Sequence, residues 1–436
     1  MKRMNRILIG VGCVALLLIS WLVTISAPSD KERQLKLMDD AEALMTDEIY
    51  IRAVPLLEDA IGYSTEHTFD AESALKRAYL QLLDQTGFRR KYLDLLAKQM
   101  GRENASPELF KEAAQFYLGI SKRAEAFSVF RDGIAKTGSQ ELIDLYESCR
   151  YEYRLGYTIY EDVSEIFGTT IGVSRDGLWG LATSEGELII PMEYDKISTF
   201  SSDRAFVKKD GRVFAVDKKN NRLVVFQETV TDFGNFAFDR LPALIDGNWY
   251  RLTGELEKGS AIFDWIGIHA EGRAAAQSGG KWGVISRTTD WVIPAEYDGI
   301  IMDALGRCYG QGAVFVQRGT GVQLLVGGEL LGTYEDARPF SSEGYAAVKK
   351  DGKWGFIDPE GTVQIPYQFD EALSFGQHLA AVRVDERWGY VNLYGNIVID
   401  PSFLQAKSFA DGSAPVLTEK GWRFITLLEY KKGAGL

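Results

Sequence analysis

The sequence predicts an α+β multidomain chain with three parts: an N-terminal transmembrane helix, α-helical hairpin repeats, and an all-β repeat domain that is propeller-like. Three observations predict this fold class. Residues Ile7 to Ile25 form an uncharged apolar run, residues 30–155 carry apolar side chains at helical spacing, and a Lys-Trp-Gly pentad recurs in the second half. A period of about 34 residues between copies of the pentad indicates a repeat architecture.

Bulk composition limits the class of protein. A length of 436 residues is enough for two or three domains. The net charge of −12 argues against a nucleic-acid partner, which clustered Lys and Arg would bind. The three cysteines, Cys13, Cys149 and Cys308, lie far apart, so they predict neither a disulfide framework nor a zinc site.

Residues 1–29 carry the pattern of a membrane anchor. Lys2, Arg3 and Arg6 precede the apolar run, which at about 1.5 Å per helical residue roughly matches the thickness of a bilayer core. Positive flanks stay in the cytoplasm. The pattern therefore predicts a single-pass protein of the cell membrane, with a cytoplasmic N-terminus and the bulk of the chain extracytoplasmic.

A cleaved signal peptide is the alternative interpretation, and it predicts a secreted protein. Such peptides have a shorter apolar core, roughly 7–15 residues, that ends in a small-x-small site. Ser26 and Ala27 are small, but Ile25 disrupts that site.

Residues 30–155 predict a domain of short helices joined by small turns. The periodicity and turn signals give helices over 30–45, 49–61, 71–83, 88–100, from 107 onward, 124–135 and 140–150. Ser106 is the predicted N-cap of the fifth helix, with Pro107 at its first position. Small residues such as Ala53, Ala60 and Ala78 recur where the helices would cross.

The segments 109–135 and 50–61 resemble tetratricopeptide-repeat units, although the Trp and Leu-Gly signature of the first helix is absent. The resemblance implies a concave face that holds a peptide. The alternative is a helical spacer or assembly surface.

The β-repeat domain is predicted over 157–430, followed by a tail over 431–436. Its unit is clearest over 345–370, where Asp351-Gly352 supplies a two-residue hairpin turn. The return strand contains Trp354-Gly355, and a third strand is predicted to stop at Pro366. Eight units align at Trp179, Val213, Trp249, Trp282, Val322, Trp354, Trp388 and Trp422.

Two further features repeat with the Trp-Gly pair. An Ile-Pro ending recurs at Ile190-Pro191, Ile293-Pro294 and Ile365-Pro366, and drifts to Ile399-Asp400-Pro401. An aromatic-Asp pair follows at Tyr194-Asp195, Tyr297-Asp298 and Phe369-Asp370. This combined pattern resembles the WG-repeat family of bacterial proteins. The resemblance implies a repeat-built β domain in surface or exported proteins, without an assigned catalytic activity.

The repeated Trp has two interpretations. As a large apolar side chain it fills the space between adjacent sheets, and the following Gly lets a neighbouring backbone come close. Alternatively, the Trp rings line a sugar-binding surface. The units either close into a propeller-like ring, which the eight hairpins favour, or stack as an open β-solenoid.

No catalytic, cofactor-binding or metal-binding residues are predicted. His67, His269 and His378 are far apart and fit no metal-ligand spacing. The recurring Asp residues of the aromatic-Asp pairs are expected to cap turns, while carboxylates meeting at a ring centre are the alternative.

The sequence leaves the ligand open. It predicts a membrane-anchored, extracytoplasmic, non-catalytic protein-interaction or scaffold protein whose partners are the membrane and an envelope protein, with no cofactor. The alternatives are a cell-wall glycan-binding module and an envelope hydrolase. Any binding site is expected where the units differ, namely in the units of Val213, Trp249 and Val322 and in the longer connector around Cys308.

Overall fold

The structure is a computed structural model that describes residues 28–226 and 229–429. It divides into two compact units, Met1–Tyr146 and Glu147–Leu436. The transmembrane helix predicted over Ile7 to Ile25 lies outside the described residues. Within the described ranges no helix combines the length and apolarity needed to cross a bilayer. For the residues that the structure describes, the predicted fold class is corrected to seven helices followed by a β-propeller of eight blades.

The helices lie in the first unit, except for the last turn of α7, which belongs to the second. In chain order they are α1 (Asp30–Thr46), α2 (Tyr50–Ala60), α3 (Thr68–Leu80), α4 (Phe88–Met100), α5 (Pro107–Gly119), α6 (Arg123–Thr137) and α7 (Gln140–Arg150). The third helix begins and ends three residues earlier than predicted. It begins at Thr68 because the Thr68 hydroxyl donates to the carbonyls of Tyr63 and Thr65, which organises the preceding turn. Ser106 precedes α5, but its side chain makes no capping hydrogen bond to the helix.

Buried alanines and charge-assisted hydrogen bonds hold successive helical hairpins together. Ala53 and Ala78 are fully buried, so neighbouring helices approach closely. Glu72 on α3 is also fully buried, and its carboxylate accepts hydrogen bonds from Gln99 (3.2 Å) and Arg102 (2.6 Å). Because a buried charge is tolerated only when it is paired, this contact fixes α3 against the end of α4.

The second unit contains eight antiparallel sheets, which are the blades in chain order. Blade 1 consists of β2 (Asp162–Val163), β3 (Thr170–Arg175), β4 (Leu178–Thr183) and β5 (Leu188–Tyr194). Blade 2 consists of β6 (Lys196–Ile197), β7 (Ala205–Lys209), β8 (Arg212–Val216) and β9 (Arg222–Val225). Blade 3 consists of β10 (Val230–Phe233), β11 (Arg240–Ile245) and β12 (Asn248–Thr253). Blade 4 consists of β13 (Trp265–Ile266), β14 (Arg273–Ser278), β15 (Lys281–Ser286) and β16 (Trp291–Tyr297).

Blade 5 consists of β17 (Gly299–Ile300), β18 (Tyr309–Gly310), β19 (Ala313–Arg318), β20 (Gly321–Val326) and β21 (Glu329–Tyr334). Blade 6 consists of β22 (Asp336–Ala337), β23 (Ala346–Lys350), β24 (Lys353–Ile357) and β25 (Val363–Phe369). Blade 7 consists of β26 (Glu371–Ala372), β27 (Leu379–Val384), β28 (Arg387–Asn392) and β29 (Ile397–Phe403). Blade 8 consists of β30 (Gln405–Ala406), β31 (Ser413–Thr418) and β32 (Gly421–Leu427), and its outer strand is β1 (Tyr153–Leu155).

Strand β1 closes the ring. It precedes blade 1 in the chain, yet it pairs with β32 of blade 8, so both ends of the β region meet in one sheet. The same junction is fixed by reciprocal backbone hydrogen bonds between Tyr160 and Trp422. The ring removes all but short edges. The propeller prediction is thus confirmed, and the open-solenoid alternative is wrong.

Each blade has a short inner strand that the predicted three-stranded unit lacked. The segment after the aromatic-Asp pair, for which the sequence pattern predicts no strand, forms this inner strand, as β26 does in blade 7. Turns between the second and third strands lie on one face of the ring, called the Asp-Gly face here because Asp-Gly pairs form four of the eight. Asp351 and Gly352 have the positive φ values of 52° and 76° that such a turn requires. Turns within the other strand pairs lie on the opposite face.

The Ile-Pro ending does not stop the outer strand, contrary to prediction. Strand β25 continues through Pro366 to Phe369, because the strand bulges there. Trp354 pairs with Phe369 while Phe356 pairs with Ile365, so extra residues of β25 lie opposite Gly355. Pro is tolerated at a bulge of an outermost strand, where its missing N–H loses no ladder bond.

Candidate functional site

The inner strands surround the ring centre. Beyond its paired residues, each inner strand continues through a three-residue segment before it turns into the second strand, and these segments face one another. The last residues of these segments are aromatic or large and apolar in seven blades and His in the eighth: Ile166, Phe200, Phe236, His269, Tyr309, Phe340, Phe375 and Phe409.

Blade 5 departs from this scheme by a six-residue insertion, Met302–Arg307, between β17 and β18. The insertion is a compact loop that Asp303 closes. One carboxylate oxygen of Asp303 accepts from the amides of Leu305 (3.0 Å) and Arg307 (2.9 Å), and the other accepts from the Arg307 guanidinium at 2.5 Å. This insertion is the longer connector around Cys308, where the sequence predicted that a binding site would lie.

The insertion fills the ring centre. Leu305 is 4% exposed and packs with Ala237 of blade 3, Ile268 of blade 4 and Phe167 of blade 1. Its carbonyl accepts a hydrogen bond from the Asn235 side chain at 3.1 Å. Residues from four blades therefore meet on one loop, and the channel that eight blades would leave is occupied by the chain itself.

A cavity of about 260 Å³ remains beside the insertion. It is bounded by Gly234, Asn235, Pro242, Trp265, Ile266, Gly267, Ile268, Met302, Asp303, Ala304, Leu305 and Gly306. Small-molecule sites usually enclose roughly 300–1,000 Å³, so the cavity suits a single apolar side chain better than a cofactor. Gly267 is required here, because a Cβ at this residue would lie 2.7 Å from the Gly306 carbonyl oxygen.

The charged groups at the ring centre compensate one another. Lys407 of blade 8 lies 3.2 Å from Glu165 of blade 1, and their side chains are 19% and 17% exposed. Burial raises the pKa of Glu165, the Lys407 ammonium opposes that shift, and Asp303 and Arg307 act on it with opposite signs. Two carboxylates therefore share the centre with two cations, which leaves little net field to attract a charged ligand.

Two of the three recurring Asp residues, Asp298 and Asp370, hold neighbouring groups at the Asp-Gly face. Asp298 accepts from the Gly319 amide (2.8 Å) and from Lys281 (2.7 Å), and Asp370 accepts from Lys353 (2.6 Å). These contacts lower the pKa of both carboxyls, with the lysine hydrogen bonds as the largest cause. The carboxylates at the ring centre are instead Glu165 and Asp303, which were not predicted because no motif contains them. Their only sequence signal is that they break the repeat.

The repeated Trp side chains pack inside the ring. The six at unit positions are buried or half-buried: Trp179, Trp249, Trp282, Trp354, Trp388 and Trp422. Trp354 is 2% exposed and stacks under the Arg338 guanidinium, 4.4 Å from the ring centroid. The interpretation as core filling is therefore the one that the packing supports.

Within 28–226 and 229–429 no group of three His, Cys, Asp or Glu side chains is arranged to hold a metal ion. Cys308 is buried in the inner segment of blade 5, and burial raises the pKa of its thiol to about 12. Cys149 is partly exposed, and Cys13 lies outside the described residues.

Comparison with known families identifies the repeats. Five segments match the family model of the WG containing repeat: residues 179–212, 282–302, 332–354, 354–388 and 388–422. The predicted WG repeats are thus confirmed in the C-terminal domain. The segments leave out residues 213–281 and 303–331, which contain the units that have lost the Trp-Gly pair and most of the insertion. No curated protein sequence matches the chain.

Several solved structures are similar. Kluyveromyces lactis Hsv2p is 13% identical over 61% of this chain and 96% of its own, with a TM-score of 0.34. The β-propeller domain of Myceliophteria thermophila Cps50 (Swd1) is 10% identical over 55% and 99%, with a TM-score of 0.34. YCF48 bound to D1 peptide is 12% identical over 65% and 97%, with a TM-score of 0.36. The strand pairing defines the fold independently of these likenesses.

Proposed function

We propose that this chain is a non-catalytic scaffold that binds a protein partner through the centre of its propeller. The observation that carries the proposal is the insertion Met302–Arg307, which fills the channel and leaves an apolar cavity among blades 3, 4 and 5. Blades 3 and 5 have lost the Trp-Gly pair, so the cavity is formed where the repeat departs from its own pattern.

The cavity suits an apolar side chain of a partner. Its lining is Trp, Ile, Pro, Met, Ala, Leu and Gly, apart from Asn235 and Asp303. Asn235 already donates to the Leu305 carbonyl, and Asp303 is held by Arg307, so both polar groups are occupied. Ala304 is exposed and lies on the cavity wall, which makes it the natural point of first contact.

The helical domain, whose hairpins resemble tetratricopeptide units, is proposed to serve as a spacer or assembly surface. Its buried carboxylates are matched by cations and amides, as at Glu72, which favours a rigid support. The glycan-binding alternative has less support, because each of the six repeated Trp side chains is buried or half-buried.

The proposal is tested by co-purification from crosslinked cells of the native host. Ala304→Glu places a charge at the cavity, whereas Tyr394→Glu places the same charge on a turn of blade 7 that is 84% exposed. We expect one protein to be retained by the parent and by Tyr394→Glu and to be lost from Ala304→Glu. Identical sets of bound proteins for all three chains would contradict a partner site at the ring centre.

The extracytoplasmic location of the propeller stays a prediction. Protease added outside intact spheroplasts should degrade residues 157–430 if the domain faces outward. Complete protection of that domain, with degradation after lysis, would contradict the predicted location.

A further inference from the structure

Three arginines converge on the junction between blades 3 and 4, at the opposite face of the ring. Arg240 begins β11, Arg251 lies within β12, and Arg287 follows β15. His269 lies between them, in the inner segment of blade 4. Arg287 follows Ser286, whose carbonyl oxygen contacts the His269 ring. Arg240 lies diagonally across from Arg251 in the β11–β12 pair. The Arg251 Nη1 atom lies 3.4 Å from His269 Nε2.

His269 stands where the other blades have an aromatic or large apolar side chain. It is 4% exposed, and its Nε2 also lies 3.2 Å from the Ser286 carbonyl oxygen. Burial lowers its pKa to about 4, and the charges of Arg251, Arg240 and Arg287 add to that shift. The imidazole is therefore neutral near pH 7. Because a carbonyl oxygen can only accept, Nε2 carries the ring proton and donates it to Ser286, so the Arg251 guanidinium lies beside the ring without a hydrogen bond to Nε2.

The positive charges of this cluster are incompletely balanced. Arg240 has Asp239 beside it at 3.5 Å. Within the described ranges, Arg251 and Arg287 have no carboxylate within 4.0 Å. Burial and the neighbouring Arg240 lower the pKa of Arg251, so both disfavour its charged form. At the ring centre, by contrast, each cation has its own carboxylate.

A partly buried guanidinium without a counter-charge is unfavourable unless an anion joins it. Arginine also presents a planar fork of N–H donors that matches carboxylate and phosphate oxygens. On a chain with a net charge of −12, an uncompensated basic cluster is not explained by overall charge.

We propose that Arg240, Arg251 and Arg287 form a binding site for an oxyanion, either a phosphate or a carboxylate group, beside the buried His269. This site is separate from the cavity at the ring centre, so it stands whether or not the proposed partner binds there.

The test measures binding of inorganic phosphate and of succinate to the full chain by calorimetry, with ionic strength held constant by chloride. Arg251→Gln and Arg287→Gln each remove one positive charge from the site. Arg212→Gln is the matched control, because Arg212 is exposed on the Asp-Gly face and the change in net charge is the same. Loss of one charge-assisted contact should weaken binding by about tenfold or more.

The outcomes separate the ligand sources and keep the proposal falsifiable. Stronger binding of phosphate identifies a phosphoryl group, and stronger binding of succinate identifies a carboxylate. If Arg251→Gln disturbs folding, the exposed Arg287 still provides a variant that leaves the core untouched. Failure of both anions to bind the parent, or equal weakening in Arg212→Gln, would overturn the proposal.

Discussion

At the scale of single residues, the Gly after each repeated Trp determines the shape of its blade. A Cβ at Gly180, Gly283, Gly355 or Gly389 would lie between 2.4 and 2.7 Å from the carbonyl oxygen of the Ile that precedes the bulge in the outer strand. The four other blades have Phe214, Tyr250, Gln323 and Arg423 at the same position. Those blades also lack the Ile-Pro ending. Trp-Gly and Ile-Pro therefore occur together because the Gly makes room for the bulge that the Pro occupies.

This coupling predicts that Gly389→Ala destabilises the propeller by about 1–3 kcal/mol, the usual effect of overpacking. The new Cβ would lie 2.4 Å from the Ile399 carbonyl oxygen, and the backbone must move to relieve this clash. Urea unfolding followed by Trp fluorescence measures the change, since eight of the nine Trp residues lie in the β domain.

Gln323→Ala is the control for this substitution, because it alters the equivalent position of blade 5, where a side chain is already accommodated. Its effect should stay within about 0.5 kcal/mol. Equal effects of the two substitutions would mean that the Gly is not required by the bulge.

His269 predicts a loss of stability in acid. Its pKa is about 4 in the folded protein, below the ordinary histidine value of 6.5 that applies to the unfolded chain, so the unfolded chain binds the proton more tightly. Stability associated with His269 is therefore present above pH 6.5 and is lost as the pH falls toward 4. At ~1.36 kcal/mol per pKa unit, the loss is about 3 kcal/mol.

His269→Phe restores the side chain that most other blades have and removes this titration. Between pH 7 and pH 4.5 the parent should lose more unfolding free energy than the variant, by up to ~3 kcal/mol. Acid weakens both proteins through their carboxylates, so the difference between the two curves is the measurement. Parallel curves would show that His269 is not buried as described.

At the scale of elements, one short strand determines that the repeats form a ring. Strand β1 is three residues long, but it gives β32 a partner and places Tyr153 against Phe403, with ring centroids 6.3 Å apart. Residues 153–155 were predicted to belong to the helical region, because three residues with no repeat signature carry no pattern of their own.

The pairing of β1 predicts a ring-closing disulfide. Arg154 and Thr426 are directly opposite in the antiparallel pair, where Cα atoms lie about 4.5–5.5 Å apart, a range that a disulfide spans. With Cys13 and Cys149 changed to Ser, Arg154→Cys combined with Thr426→Cys should oxidise without added catalyst. The crosslink should raise the unfolding free energy by ~2–4 kcal/mol.

A mismatched pair is the control for this crosslink. Thr418 lies at the far end of β31, where it pairs with Gly421, so Arg154→Cys with Thr418→Cys should stay reduced. Thiol titration and electrophoretic mobility distinguish the two outcomes. If both pairs crosslink equally, β1 does not hold the register seen here.

At the scale of the whole molecule, the parts that could be predicted are those that repeat. Eight hairpins, the Asp-Gly turns and the packing role of Trp354 follow from local rules that each unit obeys separately. The inner strands were missed because two paired residues, as in β26, are too few to show a period. The ring centre was missed because Glu165, Lys407 and Leu305 come from separate parts of the chain and meet only after closure.

The last prediction concerns deletion of the insertion Met302–Arg307. The deletion tests whether the ring needs this loop at its centre in order to fold. In blade 7, Leu373 and Ser374 are consecutive where blade 5 has Ile301 and Cys308, so deletion of 302–307 gives blade 5 the connection that its neighbours already have. The ring should stay closed, since its sheets, β1 included, do not use the deleted residues. Stability should fall by about 2–5 kcal/mol, the usual effect of removing a buried Leu, because Ala237, Ile268 and Phe167 lose their contact with Leu305. Far-ultraviolet circular dichroism and urea unfolding measure both effects. If the variant keeps its β structure but no longer captures the partner, the insertion is the binding element. If the variant does not fold, the insertion is what holds the eight blades together.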